Sequence, residues 1–222
     1  MTERKNAEAA AIIINFLVFV LTAYSVATFF VSGGEGNMEV VGAKCFMYFT
    51  VDSNILAAAA SLLSGIFGVI MLKKGTGRPG WLLWLDLAGT SAVMLTFLTV
   101  MCFLGPTMGY AAMFEGVNLL LHLVNPLLSV AAFAIVGSEL RLKPGSFWAG
   151  VVPTVIYGAV YFTEVIIIGG WTDFYGFNRG GMWYISIFAM LAASALISLG
   201  VAALRNGVQK IMQMIIMKEK NS

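Results

Sequence analysis

Six apolar segments, at about 11–31, 47–72, 82–104, 117–136, 147–168 and 183–204, dominate this chain and narrow its folds to one class. Each is about 20 residues or longer, enough at ~1.5 Å per residue to cross ~30 Å of hydrocarbon. Inside a bilayer no water bonds the backbone. Every N–H and C=O must find a partner within the chain, and a run of this length does so as an α-helix. The expectation is an all-α polytopic membrane protein, a single six-transmembrane-helix bundle over residues 1–222 with 205–222 as a juxtamembrane tail. The connections carry the punctuation of short loops: Ser32-Gly33-Gly34, Gly75 to Gly80 around Pro79, Gly105-Pro106, Lys143-Pro144-Gly145 and Gly169-Gly170.

Only 11% of the residues are charged, and their placement predicts an orientation. Arg4, Lys5, Lys73, Lys74, Arg78, Arg141, Lys143, Arg205, Lys210, Lys218 and Lys220 all fall on the side of the two termini, whereas the other side holds Lys44 and Arg179. Positive charge is retained inside, so both termini are expected to be cytoplasmic. The first apolar run is longer than a signal-peptide core and has no small-residue cleavage site after it, so it reads as a retained span. In the tail, Val208, Ile211, Met212, Ile215 and Ile216 alternate with Gln209, Lys210, Gln213 and Lys218, the pattern of a helix continuing to or lying on the inner surface. A net charge of +2 without basic–aromatic clusters excludes a nucleic-acid partner. Cys45 and Cys102 are too far apart in sequence for a metal-binding pair; both should lie near the outer face, where a disulfide between them is conceivable, and reduced thiols are the expectation.

Polar side chains inside such spans are costly unless they face the protein interior, and there they mark sites. Four of them, Thr50, Asp52, Ser53 and Asn54, interrupt the start of the second segment. The fourth carries Asn118, His122, Asn125 and Ser129 at spacings of four, three and four, which puts all four on one helical face with Glu115 a turn earlier. The fifth carries Pro153, Tyr157, Tyr161 and Glu164, the last near its outer end. With the termini inside, Thr50, His122 and Glu164 arrive at roughly the same depth, in the outer third of the bilayer. Asp86, within ~6 Å of the inner boundary counting from Leu82, reads as interfacial or paired with Lys73, Lys74 or Arg78.

An alcohol and an imidazole at one depth are the makings of covalent catalysis. A neutral histidine takes the proton of a hydroxyl nucleophile and returns it to a leaving group. Thr50 is the candidate nucleophile, with Ser53 as a second, and His122 is the base. A third group must orient the ring, and Asn118, Asn125, Glu164 and Asp52 are available. Ser53 or Asn54 is placed to donate to a developing oxyanion. Each residue also has a plain role: a membrane threonine bonds the carbonyl one turn back, and a membrane histidine serves as interhelical glue.

At Phe49-Thr50-x-x-Ser53-Asn54-x-Leu56 and at Leu121-His122-x-x-x-Pro126-Leu127 the chain resembles a family of six-span membrane proteins, the androgen-induced and androgen-dependent tissue-factor-pathway-inhibitor-regulating proteins and their bacterial relatives. Trp171-Thr172-Asp173-Phe174-Tyr175-Gly176 is similar to an outer loop of the bacterial members. The resemblance implies an intramembrane hydrolase that cleaves fatty acid esters of hydroxy fatty acids, with the family's threonine and histidine falling on Thr50 and His122. No cofactor and no metal are expected, and for a bacterial chain the expected location is the cell membrane.

Two functions follow from these residues. In the first the chain is an intramembrane esterase. A lipid acyl ester enters sideways from the bilayer, lies along Met, Phe and Leu side chains with Tyr157 and Tyr161 among the lining residues, and meets Thr50. In the second the chain is a non-enzymatic carrier or receptor, in which His122, Glu164 and Asp52 form a proton- or solute-binding pocket open to the outer face. No half-chain repeat and no span broken near mid-membrane accompanies that second pattern.

Overall fold

The computed structural model of the protein describes residues 2–31, 42–137 and 141–221. Six helices in it are long and apolar enough to cross a membrane: α1 (Arg4–Val31), α2 (Phe49–Lys74), α3 (Gly80–Met108), α4 (Val117–Ile135), α5 (Pro144–Ile168) and α6 (Trp183–Lys218). No strand occurs among the described residues. The protein is an all-α, multi-pass integral membrane protein. The expected turn at Ser32-Gly33-Gly34 and the Lys220 side chain lie outside the described residues.

At the centre of the bundle is α3, packed against α2, α4, α5 and α6, while α1 closes the far side against α2 and α4. Small residues permit the closest approaches, as expected where lipid supplies no hydrophobic drive between helices. A Cβ on Gly89 would lie 2.8 Å from the Cα of Ala57, so α2 and α3 touch backbone to backbone. A Cβ on Gly150 would meet Ser198 Oγ at 2.5 Å and Ser91 Cβ at 2.6 Å, which marks the junction of α3, α5 and α6.

On the side of the termini, buried charges tie the ends of the bundle together. Arg78, in the 2–3 connection, pairs with Glu8 of α1 at 2.6 Å and donates to the Ser64 carbonyl at 3.2 Å. The other oxygen of Glu8 accepts from the Gly137 N–H just past α4 at 2.8 Å. Asp86 bonds the Ser64 hydroxyl at 2.6 Å, with Arg78 and Arg205 close enough to attract its carboxylate. Lys73 and Lys74 form no ion pair with it among the described residues. Beyond Leu204 the helix does not stop. It runs on from Trp183 to Asn221 because its tail has work to do: Asn206 brackets the Leu142 N–H and C=O, and Gln209 donates to the Ala134 and Val136 carbonyls, which end α4 without helical partners.

On the opposite side three spans leave regular α-geometry in single π-helical turns, Val100–Leu104 in α3, Leu120–Val124 in α4 and Thr163–Ile168 in α5. Two have a visible cause. A proline has no N–H to give, and in the i→i−5 pattern of a π turn the carbonyl it leaves free is the fifth before it. Ahead of Pro106 the orphan is Met101, whose carbonyl accepts from the Tyr110 hydroxyl at 2.8 Å. Ahead of Pro126 it is Leu121, whose carbonyl accepts from Asn54 Nδ2 at 3.0 Å.

Candidate active site

Thr50 is the second residue of α2 and His122 sits within the π turn of α4; they are 5% and 2% exposed. Thr50 Oγ1 lies 3.5 Å from His122 Nε2, a loose contact of the kind that tightens when substrate is held. The other ring nitrogen, Nδ1, is 2.7 Å from the Met113 carbonyl. A carbonyl only accepts, so Nδ1 carries the proton and Nε2 presents a lone pair to the threonine hydroxyl. The group that orients the ring is thus a backbone oxygen on the short helical turn Tyr110–Met113, between Gly109 and Gly116, both at positive φ.

None of the four side chains considered for that task bonds the ring. Asn54 Nδ2 donates to the Thr50 carbonyl at 2.7 Å and to Leu121, and its Oδ1 accepts from Asn125 Nδ2 at 3.1 Å. Asn125 donates also to Thr22 Oγ1 of α1 at 3.0 Å. This amide chain links α1, α2 and α4, and it sets the register that brings Thr50 to His122. Asn118 is wholly buried one turn before the histidine, with neither end of its amide bonded among the described residues. Glu164, half-buried in the last turns of α5, and Asp52, half-buried on another face of α2, make no hydrogen bond to the ring.

Ser53 is also committed. Its hydroxyl donates to the Thr50 carbonyl at 3.1 Å and accepts from Thr96 Oγ1 at 2.9 Å, joining α2 to α3. Beside it runs a groove of about 410 Å³ between α2, α3 and α5, with Asp52, Ser53 and Tyr157 at one end and Leu56, Leu85 and Val152 along its apolar length. Phe49 and Tyr157, whose rings are 5.1 Å apart, both line it. Tyr161 faces elsewhere: its hydroxyl donates to Asp173 Oδ1 at 3.0 Å and accepts from the Tyr175 N–H at 3.2 Å.

That bond belongs to a folded loop between α5 and α6. Asp173 also accepts from the N–H groups of Phe177 at 2.7 Å and Asn178 at 2.8 Å, and Phe174 packs on Tyr48 with ring centroids 4.7 Å apart. The loop sends Tyr175 back into the bundle. Its hydroxyl accepts from the Phe49 N–H at 3.1 Å, at the start of α2, and lies beside the hydroxyls of Thr50 and Tyr157. Burial pushes the Tyr175 phenol well above its ordinary value.

Two contributors are not among the residues expected at the site. The Met113 carbonyl belongs to the backbone, and Tyr175 is marked in the sequence only as part of the 171–176 segment and of an aromatic cluster that reads as an interfacial belt. Among the described residues no group of three or more His, Cys, Asp or Glu side chains is placed to hold a metal ion. Both cysteines are free thiols, Cys45 buried and Cys102 exposed. No family model matches the chain, and neither does any curated protein or solved structure.

Proposed function

We propose that the protein is an intramembrane ester hydrolase acting on a lipid acyl ester, such as a fatty acid ester of a hydroxy fatty acid, as the resemblance at Thr50 and His122 implies. One observation carries this reading: the Thr50 hydroxyl faces an imidazole whose far nitrogen is pinned by a carbonyl, so that the near one is a base. Nε2 takes the proton as the threonine oxygen adds to the acyl carbonyl. It returns that proton to the departing alkoxide, and it then activates the water that frees the acyl group. The apolar groove beside Ser53 supplies a lateral berth for the acyl chain. The charge bias supports a site towards the exterior, near water, and for a bacterial chain the proposed location is the cell membrane.

A fluorophosphonate probe should label the parent protein. Labelling should vanish in Thr50→Ala and fall by at least ~10²-fold in His122→Ala. Equal labelling of the two variants and the parent would overturn the assignment. Proton flux in proteoliposomes that needs Glu164 but not Thr50 would favour a carrier instead.

A further inference from the structure

Addition of a threonine oxygen to an ester drives the carbonyl electrons onto oxygen, and that charge needs a donor about 3 Å away in a dry site. The donors nearest Thr50 are mostly spent. Asn54 Nδ2 serves two carbonyls, Asn125 Nδ2 serves Thr22 and Asn54, and the Ser53 proton goes to the Thr50 carbonyl. Among the described residues, one hydroxyl beside Thr50 donates to no backbone carbonyl: that of Tyr175, from the loop between α5 and α6, whose side-chain neighbours are the hydroxyls of Thr50 and Tyr157.

We propose that Tyr175 is a catalytic residue, whose O–H donates to the substrate oxyanion formed at Thr50. The proposal rests on the reading of Thr50 and His122 as nucleophile and base. In the tetrahedral adduct the nucleophilic oxygen and the oxyanion share one carbon, so a donor beside Thr50 Oγ1 is also beside the charge. The Phe49 N–H donates to the phenol oxygen at 3.1 Å, and a hydroxyl that accepts such a bond is polarised into a stronger donor. That N–H is the first of α2, so the positive end of the helix dipole points the same way. With its ionisation suppressed by burial, the phenol keeps its proton throughout the working pH range.

The loop is built to hold this hydroxyl still. Asp173 fixes Tyr161, Phe177 and Asn178, Tyr161 fixes the Tyr175 backbone, and Phe174 and Tyr161 flank the Tyr175 ring at 4.7 and 5.4 Å between centroids. During the step the Thr50 O–H proton passes to His122 Nε2 and an O–C bond forms. The π electrons settle on the carbonyl oxygen against Tyr175 O–H. Collapse re-forms the carbonyl, breaks the ester C–O bond and sends the Nε2 proton to the leaving alkoxide. Tyr175 donates throughout and never transfers its proton.

The test uses the full chain in lipid nanodiscs with 4-nitrophenyl laurate. Tyr175→Phe should lower kcat by ~10²-fold while KM stays within about threefold, since the bond forms only as charge develops. Because this variant also strips the Phe49 N–H of its acceptor, fluorinated tyrosines at position 175 supply an independent readout. They keep the bond from Phe49, and kcat should vary systematically with phenol acidity. A kcat that is flat across the fluorinated series and unchanged in Tyr175→Phe, with Thr50→Ala and His122→Ala inactive, would overturn the role of Tyr175 alone. Full turnover in Thr50→Ala would instead overturn the nucleophile beneath it.

Discussion

Glu8 offers the cleanest measure of what holds the end of the bundle that carries the chain termini. Its side chain and that of Arg78 are 2% and 1% exposed, at 2.6 Å, so neither charge has water to fall back on. Breaking a buried pair costs ~3–5 kcal/mol, because the surviving charge is left uncompensated. Here Asp86 stands close to Arg78 and offsets part of that, which favours the low end, ~3 kcal/mol, for Glu8→Gln. Glutamine keeps an oxygen for the Gly137 N–H, whereas Glu8→Ala also orphans that N–H and should cost a further ~1–3 kcal/mol. For a chain of this size each kcal/mol is worth roughly 2–4 °C, so Glu8→Ala should melt ~8–24 °C below the parent in nanodiscs, with Glu8→Gln in between. Adding Arg78→Met to Glu8→Gln should recover most of the loss, since removing both charges also removes the uncompensated one. The reasoning is refuted if the two substitutions are additive in a double-mutant cycle, or if Glu8→Gln melts with the parent.

Three further outcomes are expected. Gly89→Ala pushes a methyl into the Ala57 backbone, and it should cost ~1–3 kcal/mol in thermal or denaturant unfolding, far more than Gly158→Ala, where a Cβ meets nothing within 4 Å. Burial, with the Asp52 carboxylate adding to it, pushes the Cys45 thiol up, so less thiolate is present at any given pH. Alkylation of Cys45 by N-ethylmaleimide in a Cys102→Ser background should therefore stay slow at pH 8, rise with pH beyond the ordinary thiol range, and become fast at pH 8 in SDS. Pro126→Ala returns an N–H that competes with Asn54 for the Leu121 carbonyl, so it should leave the melting temperature unchanged or raised while fluorophosphonate labelling falls at least ~10-fold.

The spans were legible because hydropathy over about twenty residues is a long-range average that local detail cannot spoil. The amide network was half legible. Polar residues at spacings of four and three on α4 have to face inward, but whether Asn125 bonds Asn54 or His122 depends on the distance between helices, which no spacing encodes. The run beyond Leu204 reads as a helix continuing to or along the membrane surface, and the helix does continue, but the roles of Asn206 and Gln209 were not legible, because the loop and helix-end carbonyls they serve are themselves invisible in sequence. Asp86 shows the same limit. Proximity to Arg78 was readable, but its hydroxyl partner Ser64, twenty-two residues away on α2, was not.

The two short motifs around Thr50 and His122 make physical sense as one device. A proline four residues after the histidine deprives the Leu121 carbonyl of its helical partner, and the helix widens by one residue there. A regular α-helix turns ~100° per residue, so that widening re-aims every side chain on its outer side relative to the rest of α4. The freed carbonyl would be costly in a membrane interior without a donor, and Asn54 provides one with the same amide nitrogen that bonds the carbonyl of Thr50. The defect that turns the imidazole and the residue that repairs the defect are therefore coupled through the backbone of Thr50 itself. Fold stability alone gives no reason for such an arrangement, since a leucine at position 54 facing an unbroken α4 would leave no carbonyl to satisfy. Its coherence as a way of setting one hydroxyl against one imidazole is the strongest physical argument that the pair reacts.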